Sequence, residues 1–310
     1  MRPLGKIEMN QLAIVSGKGG TGKTTVAASL AALWGADKVL ADCDVDASNL
    51  PLVLRAQWKR QEPFYAGGIA AIKQSLCSRC GLCFDACRFR AIEQNDGTYE
   101  INALACEGCD VCKLVCPTNA ITMYKVETGR LYESETVYGP LVHAELEAGR
   151  ENSGKLVTFV RQTAKHVAEQ VGAETILIDG SPGIGCPVIA TLTGVDLALV
   201  VTEPTLTGLQ GMERILSVAR HFQIPRLVCI NKVDLNRDLV RRIESRCAEY
   251  EAEVVGVLPF DRAVVEANSR LEPIVKTGPA KIIQALETLA ERVQQRLKNN
   301  KEDSKKAACS

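Results

Sequence analysis

Nine residues, Gly17-Lys18-Gly19-Gly20-Thr21-Gly22-Lys23-Thr24-Thr25, limit what this chain can fold into more than any other stretch. They follow an apolar run, Leu12-Ala13-Ile14-Val15, that reads as a buried strand. They precede Val26-Ala27-Ala28-Ser29-Leu30-Ala31-Ala32-Leu33, which reads as a helix. Strand, G-x-x-x-x-G-K-[ST] and helix together form the pattern of a phosphate-binding loop. Glycines at 17, 19, 20 and 22 let the backbone curl until successive N–H groups point at one spot. The positive end of the helix starting near Gly22 adds to that field. The nest suits a polyphosphate, with Thr21 and Thr25 in the same contact stretch. Lys23 reaches the β and γ oxygens, and Thr24 offers its hydroxyl to Mg2+. A chance Gly-rich loop is the bland alternative, and the strand before and helix after argue against it.

Later strands end in residues suited to the same site. Val39-Leu40-Ala41 leads into Asp42-Cys43-Asp44-Val45-Asp46. Carboxylates there stand at the carboxyl edge of a parallel sheet, where they can orient a water or hold Mg2+. Thr175-Ile176-Leu177-Ile178 ends in Asp179-Gly180-Ser181-Pro182-Gly183. Asp179 can hold the Mg2+ shell, and the Gly183 N–H can meet a γ-phosphate. A strand over residues 226–230 ends in Asn231-Lys232-Val233-Asp234, which taken alone is the guanine-reading N-K-x-D sequence of GTPases. A last strand, 254–258, precedes Pro259-Phe260-Asp261. Strands alternating with helices predict an α/β, doubly wound, mostly parallel sheet.

Between the second and third of these strands the pattern changes. Cys77-x2-Cys80-x2-Cys83-x3-Cys87 recurs as Cys106-x2-Cys109-x2-Cys112-x3-Cys116-Pro117. C-x2-C-x2-C-x3-C is the bacterial ferredoxin run, whose fourth cysteine ligates the other cluster. The spacing predicts one [4Fe–4S] cluster on Cys77, Cys80, Cys83 and Cys116, and a second on Cys106, Cys109, Cys112 and Cys87. Zinc ribbons use paired C-x2-C rather than triplets with a trailing cysteine. Arg88 follows Cys87 where proline is usual, which predicts a shifted turn in the first copy. The expected organisation is an ATPase domain in two parts, 1–62 and 126–299, an inserted small α+β ferredoxin-like domain, 63–125, and a disordered tail, 300–310. An extended return segment is expected over 131–137.

The chain has 310 residues and no net charge, with 37 basic and 37 acidic side chains. Nucleic-acid binding domains carry a basic balance, so no nucleic-acid partner is expected. No apolar run is long enough to span a bilayer, and the first ten residues lack the apolar core of a signal peptide. Thirteen cysteines then read as metal ligands in a reducing cytoplasm rather than disulfides. A last amphipathic helix, with Ile282, Leu286, Leu289, Val293 and Leu297, is expected to dock on the domain, not on a membrane. Cys43 and Cys186 are weaker candidates for reactive thiols beside the site. Cys229 and Cys247 read as core. His143, His166 and His221 receive no role.

Lys-Gly-Gly-x-Gly-Lys-Thr-Thr resembles the deviant Walker A of the MinD/ParA class, which includes the nitrogenase iron protein. The resemblance covers essentially the whole chain. With the cysteine repeat, it extends to the superfamily members that contain an inserted ferredoxin domain. It implies that Lys18 reaches across a two-fold interface to a partner's nucleotide, in a homodimer or a heterodimer with a similar ATPase. It implies that Asp44 orients the attacking water, that the 179–183 segment is switch II, and that Asn231 with Pro259, Phe260 and Asp261 forms an adenine pocket. ATP is therefore favoured, with GTP kept open by the literal N-K-x-D. Two functions follow as expectations: a slow, partner-stimulated ATPase gating electron transfer to a redox partner, or an iron–sulfur or metal cofactor assembly factor. A spatial organiser on membrane or chromosome is the weakest.

Overall fold

The computed structural model of the chain describes residues 9–147 and 153–308. Residues 1–8, on which part of the leader expectation rests, and the end of the tail, Cys309 and Ser310, lie outside them. In chain order, β1 (Asn10–Ser16), α1 (Lys23–Leu33), β2 (Lys38–Asp42), α2 (Leu50–Val53) and β3 (Gln57–Tyr65) come first. Then follow β4 (Ile69–Ile72), α3 (Leu82–Ala86), β5 (Ile92–Asn95), β6 (Thr98–Ile101), α4 (Val111–Leu114) and β7 (Ile121–Tyr124). The chain continues through β8 (Glu127–Thr136), β9 (Gly139–Leu146), α5 (Ser153–Val171), β10 (Thr175–Pro182), α6 (Cys186–Leu192), β11 (Leu197–Thr202) and α7 (Leu206–His221). It ends with β12 (Arg226–Asn231), α8 (Arg237–Glu249), β13 (Glu253–Leu258), α9 (Arg262–Ser269) and α10 (Ala280–Ala308).

The described residues divide into two compact units. One holds those up to Gln61, Leu131–Glu145 and the chain from Ser153 on; the other centres on Glu62–Arg130. The large unit is built on a sheet in the order β13-β12-β11-β1-β10-β2-β9-β8-β3. The pairs from β13 through β9 are all parallel. Strand order reverses at β1: the chain leaves it for β2 on one side and later reaches β11 on the other. Ligands in such sheets bind outside the carboxyl ends at this switch point. The register there sets Ile14 opposite Asp179, Asp179 opposite Asp42, and Asp42 opposite His143. Asp42, which ends β2, and Asp179, within β10, thus stand side by side, and β10 is the strand next to β1.

The strands are apolar on both faces because helices cover both. Alternate residues Leu12, Ile14, Leu40, Leu177, Leu199 and Val201 join one core with Leu30 of α1 and Leu286, Leu289 and Val293 of α10. The intervening Ala13, Val15, Ala41, Ile178 and Val200 are fully buried on the other face. Burying Leu286, Leu289, Val293 and Leu297 accounts for the final amphipathic helix. Among the described residues no helix is long and apolar enough to cross a membrane. The tail expected to be disordered instead continues α10 to Ala308. It holds neither Gly nor Pro, and a helix already nucleated propagates readily.

The extended segment expected over 131–137 falls within β8, which joins β9 and the edge strand β3 in widening the sheet. β3 was not legible as sheet because it is almost wholly exposed. The smaller unit repeats one theme: strand, cysteine triplet, one-turn helix, trailing cysteine, strand. β4 pairs with β7 and β5 with β6, both antiparallel, around Ala70, Cys83, Ile92, Tyr99 and Ile121.

Helix α7 is pinned to the phosphate-binding loop by two glycines. A Cβ at Gly17 would lie 2.3 Å from the Gly211 backbone, a contact no side chain tolerates. Gly17→Ala is therefore expected to destabilise the fold by about 2 kcal/mol through overpacking, measured by urea unfolding. A change under about 0.5 kcal/mol, the range of neutral surface substitutions, would mean that α7 retreats freely.

Candidate functional site

The loop between β1 and α1 curls through two left-handed glycines, Gly20 at φ 77° and Gly22 at φ 95°. Gly22 is the N-cap of α1, so the helix begins at Lys23. Gly19 and Gly20 are exposed. The loop is tied from outside: the Asn231 amide donates to the Thr21 carbonyl at 2.8 Å, and Lys232 Nζ donates to the Gly20 carbonyl at 2.8 Å. A Cβ on Gly22 would strike the Asn231 amide nitrogen at 2.3 Å, so glycine is required twice over there. Thr21 Oγ1 is buried without a hydrogen-bond partner. Thr24 lies beside Lys23, its hydroxyl 3.4 Å from the ammonium.

Lys23 is 5% exposed and sits among three acids. Its ammonium is 2.7 Å from Asp179 Oδ1 and 3.7 Å from Asp44 Oδ2. Burial disfavours its charge, but Asp179, Asp42 and Asp44 outweigh this and raise its pKa above the ordinary value. Asp179 is fully buried and its Oδ2 has no partner. Asp42, which the motif reading did not single out, is also fully buried. It accepts from the Asp44 N–H, the Ser48 hydroxyl and the Leu50 N–H, and so shapes the whole 43–50 turn. Burial, joined by the Asp179 carboxylate, pushes Asp42 up to about 7. Burial likewise pushes Asp44 up to about 6. The signal for Asp42 in the sequence was its place as the last strand residue, level with Asp179.

The switch II expectation needs one correction. The Gly183 N–H donates to the Ser16 carbonyl at 2.8 Å. β10 runs past Asp179 as far as Pro182, which pairs with Ser16, so that N–H is spent on the sheet. Cys43 is buried, and desolvation pushes its thiol far above the ordinary value, which removes it as a reactive group. Cys186 is exposed; Cys229 and Cys247 are buried. Beyond β12, Asp234 Oδ2 accepts from the Phe260 N–H at 2.8 Å, and Asp261 Oδ1 caps α9 at the Ala263 N–H. Pro259 connects β13 to that cap. Asn231 and Asp234 therefore both bind loops together.

In the smaller unit the cysteines fall into two sets. Cys77, Cys80, Cys83 and Cys116 line one cavity with Ile72, Tyr99 and Ile121. Cys87, Cys106, Cys109 and Cys112 line another with Phe89, Ile92 and Met123. Among the described residues no three His, Cys, Asp or Glu side chains converge on a single ion. The turns repeat as well. Arg79 and Gly108 each precede a second cysteine, Gly81 and Asp110 each lie two before a third, and all four have positive φ. Arg90 and Asn119, each three past a trailing cysteine, match at φ 52° and 50°. Cys87 Sγ accepts from the Ala91 N–H and Cys116 Sγ from the Ala120 N–H, both at 3.3 Å. Arg88 in place of proline thus leaves the turn unchanged, because the N–H to sulfur bond and the left-handed third residue define it.

Asp44's folded-state pKa lies above its unfolded value of 3.8. Its contribution to the stability of the nucleotide-free fold is therefore complete below about pH 4 and lost as the pH rises through about 6. Asp44→Asn removes this dependence. The variant is expected to gain stability relative to wild type between about pH 4 and 7 in urea titrations, and a constant difference would contradict this environment for Asp44.

The chain matches the CobQ/CobB/MinD/ParA nucleotide binding domain family over residues 12–274. An uncharacterised protein of Methanocaldococcus jannaschii is 34% identical over 253 residues, covering 81% of this chain and 84% of its own length. The iron–sulfur cluster carrier protein of Pyrococcus abyssi is 24% identical, over 96% of this chain and 89% of its own. Among solved structures, MinD of Pyrococcus horikoshii complexed with Mg-ADP superposes with a TM-score of 0.57 at 19% identity, covering 94% of this chain and 99% of that one. The switch-point sheet, the glycine loop and a family match spanning most of the chain lead to one conclusion: the protein belongs to the CobQ/CobB/MinD/ParA nucleotide-binding family and is a MinD/ParA-type P-loop ATPase.

Proposed function

We propose that the chain is an ATP-binding and hydrolysing iron–sulfur protein in which the nucleotide state of a dimer gates electron transfer through two [4Fe–4S] clusters to a partner protein. The observation that carries this reading is the crossed grouping of eight cysteines, each triplet sharing its cavity with the trailing cysteine of the other repeat. Four thiolates around a hollow are the donor set a cubane takes, and the crossing is that of two-cluster ferredoxins. In this reading residues 63–125 are the inserted ferredoxin-like domain. Hydrogen bonds to Cys87 and Cys116 from Ala91 and Ala120 tune the clusters, which supply one-electron transfer when bound.

At the nucleotide site, the exposed turn of Gly19 and Gly20 offers backbone N–H groups to phosphate. Lys23 leaves Asp179 and Asp44 for the β and γ oxygens. Thr24 and Asp179, whose Oδ2 is free of partners, would hold Mg2+. Asp44, so released, orients the attacking water, and Lys18 serves the nucleotide of a partner chain, identical or similar. Asn231, Pro259, Phe260 and Asp261 border the base, for which ATP is the favoured nucleotide. Turnover is slow and stimulated by the redox or cofactor-assembly partner, in the cytoplasm, with no role for nucleic acid or membrane.

A second reading, assembly or delivery of an iron–sulfur cofactor, is favoured by the similarity to the Pyrococcus abyssi carrier protein. The cysteine count weighs against handing over these clusters. Each set has four sulfurs from its own chain, so each cluster is saturated and hard to release. Supplying electrons to an assembly partner fits both readings.

Anaerobically purified protein is expected to carry about eight irons per chain. In EPR, Cys116→Ser and Cys77→Ser should perturb one cluster signal, and Cys87→Ser and Cys106→Ser the other. Zinc in place of iron, or Cys116→Ser acting on the signal that responds to Cys106→Ser, would overturn the assignment. Efficient iron transfer to an apo-protein acceptor would move the conclusion to delivery.

A further inference from the structure

A carboxylate outside the sequence motifs holds the lysine that marks the loop. Glu203 follows β11 and is 6% exposed. One of its oxygens lies 2.5 Å from Lys18 Nζ and the other 2.7 Å from Lys232 Nζ. The two ammonium groups outweigh burial and hold the carboxyl below the ordinary carboxylate value. Its backbone is fixed as well. The Glu203 carbonyl accepts from the Thr205 N–H at 2.7 Å, and Gly208 packs so closely that a Cβ there would lie 2.3 Å from that oxygen.

The two lysines are not held alike. Lys232 is fastened on a second side, to the Gly20 carbonyl at 2.8 Å, and so bridges Glu203 to the phosphate-binding loop. The Lys18 side chain is 31% exposed against 8% for Glu203. Lys18 can therefore swing out while Lys232 stays and neutralises the carboxylate. Its departure removes one partly buried ion pair and leaves no bare buried charge, which is the cheap way to break such a pair.

We propose that Glu203 is a positioning residue that parks Lys18 on its own chain, so that nucleotide-driven pairing of two chains must first take Lys18 from Glu203. This rests on the reading that Lys18 serves a partner's nucleotide. Glu203 then sets the threshold for pairing. Lys18 is kept from neighbouring phosphates at rest, and the ion pair given up is subtracted from the binding energy of the dimer.

The test is sedimentation velocity on the full-length, cluster-loaded chain, with and without a non-hydrolysable ATP analogue and Mg2+. Wild type is expected to pair only with the analogue, and Lys18→Ala to fail. Glu203→Gln should pair at about tenfold lower protein concentration, the shift that the loss of one partly buried ion pair gives. Glu203→Asp keeps the charge that Lys232 needs but shortens the reach to Lys18. It should fall between the two, and it carries the comparison if Glu203→Gln does not fold. In a Lys18→Ala background neither change at 203 should alter assembly, a dependence that general loosening of the loop would not show. A wild type that pairs, with both Glu203 variants at the wild-type threshold, overturns the parking role alone. A shift that persists without Lys18 does the same. A wild type that never pairs with nucleotide overturns the reading of Lys18, and the parking role with it.

Discussion

A buried ammonium among buried carboxylates organises the nucleotide end of this protein. Lys23 stands within 2.7 Å of Asp179 and 3.7 Å of Asp44, with Asp42 adding to the field. None of these groups would be stable alone: an unpaired charge at that depth costs several kcal/mol. The cluster therefore works only as a set, contributed by the start of α1, the end of β2 with the turn after it, and β10. The parallel register that aligns Asp42 with Asp179 is a condition of the site as much as of the fold. Burial, joined by the Asp179 carboxylate, holds both Asp42 and Asp44 above the ordinary carboxylate range.

The phosphate-binding loop is held by neighbours rather than by itself. Gly17 against Gly211, Asn231 on Thr21 and Lys232 on Gly20 join it to α7 and to the end of β12. Asp234 in turn secures the Phe260 turn. The loop, the turns after β12 and β13, and Glu203 thus form one connected rim at the switch point of the sheet.

Much of this was legible beforehand for a physical reason. A P-loop needs glycines and a lysine at fixed spacing, and parallel strands need unbroken apolar runs, so both leave local signatures. The core strands and the residues Lys23, Asp44 and Asp179 came directly from such signatures. Asp42, Glu203 and Lys232 did not, because their roles arise from register and from side chains far apart in the chain. A carboxylate at the end of a strand has no local mark that separates a strut from a water-orienting base. Gly183 was misjudged for the same reason: a G-turn after a strand looks alike whether its N–H faces a ligand or Ser16. The edge strand β3 escaped notice because an exposed strand lacks an apolar period. In the smaller unit the spacing of cysteines was informative while the identity of the turn residues was not. Arg79 stands where the second repeat has Gly108, and both adopt the same left-handed conformation.

The central claim is that nucleotide and cluster chemistry are coupled within one chain. The most direct measurement is an EPR redox titration of anaerobically purified protein with and without ATP–Mg2+. The account predicts that at least one cluster's midpoint potential or line shape moves with nucleotide, and that the movement vanishes in Lys23→Ala. Two cluster signals that stay the same whatever nucleotide is added would contradict it.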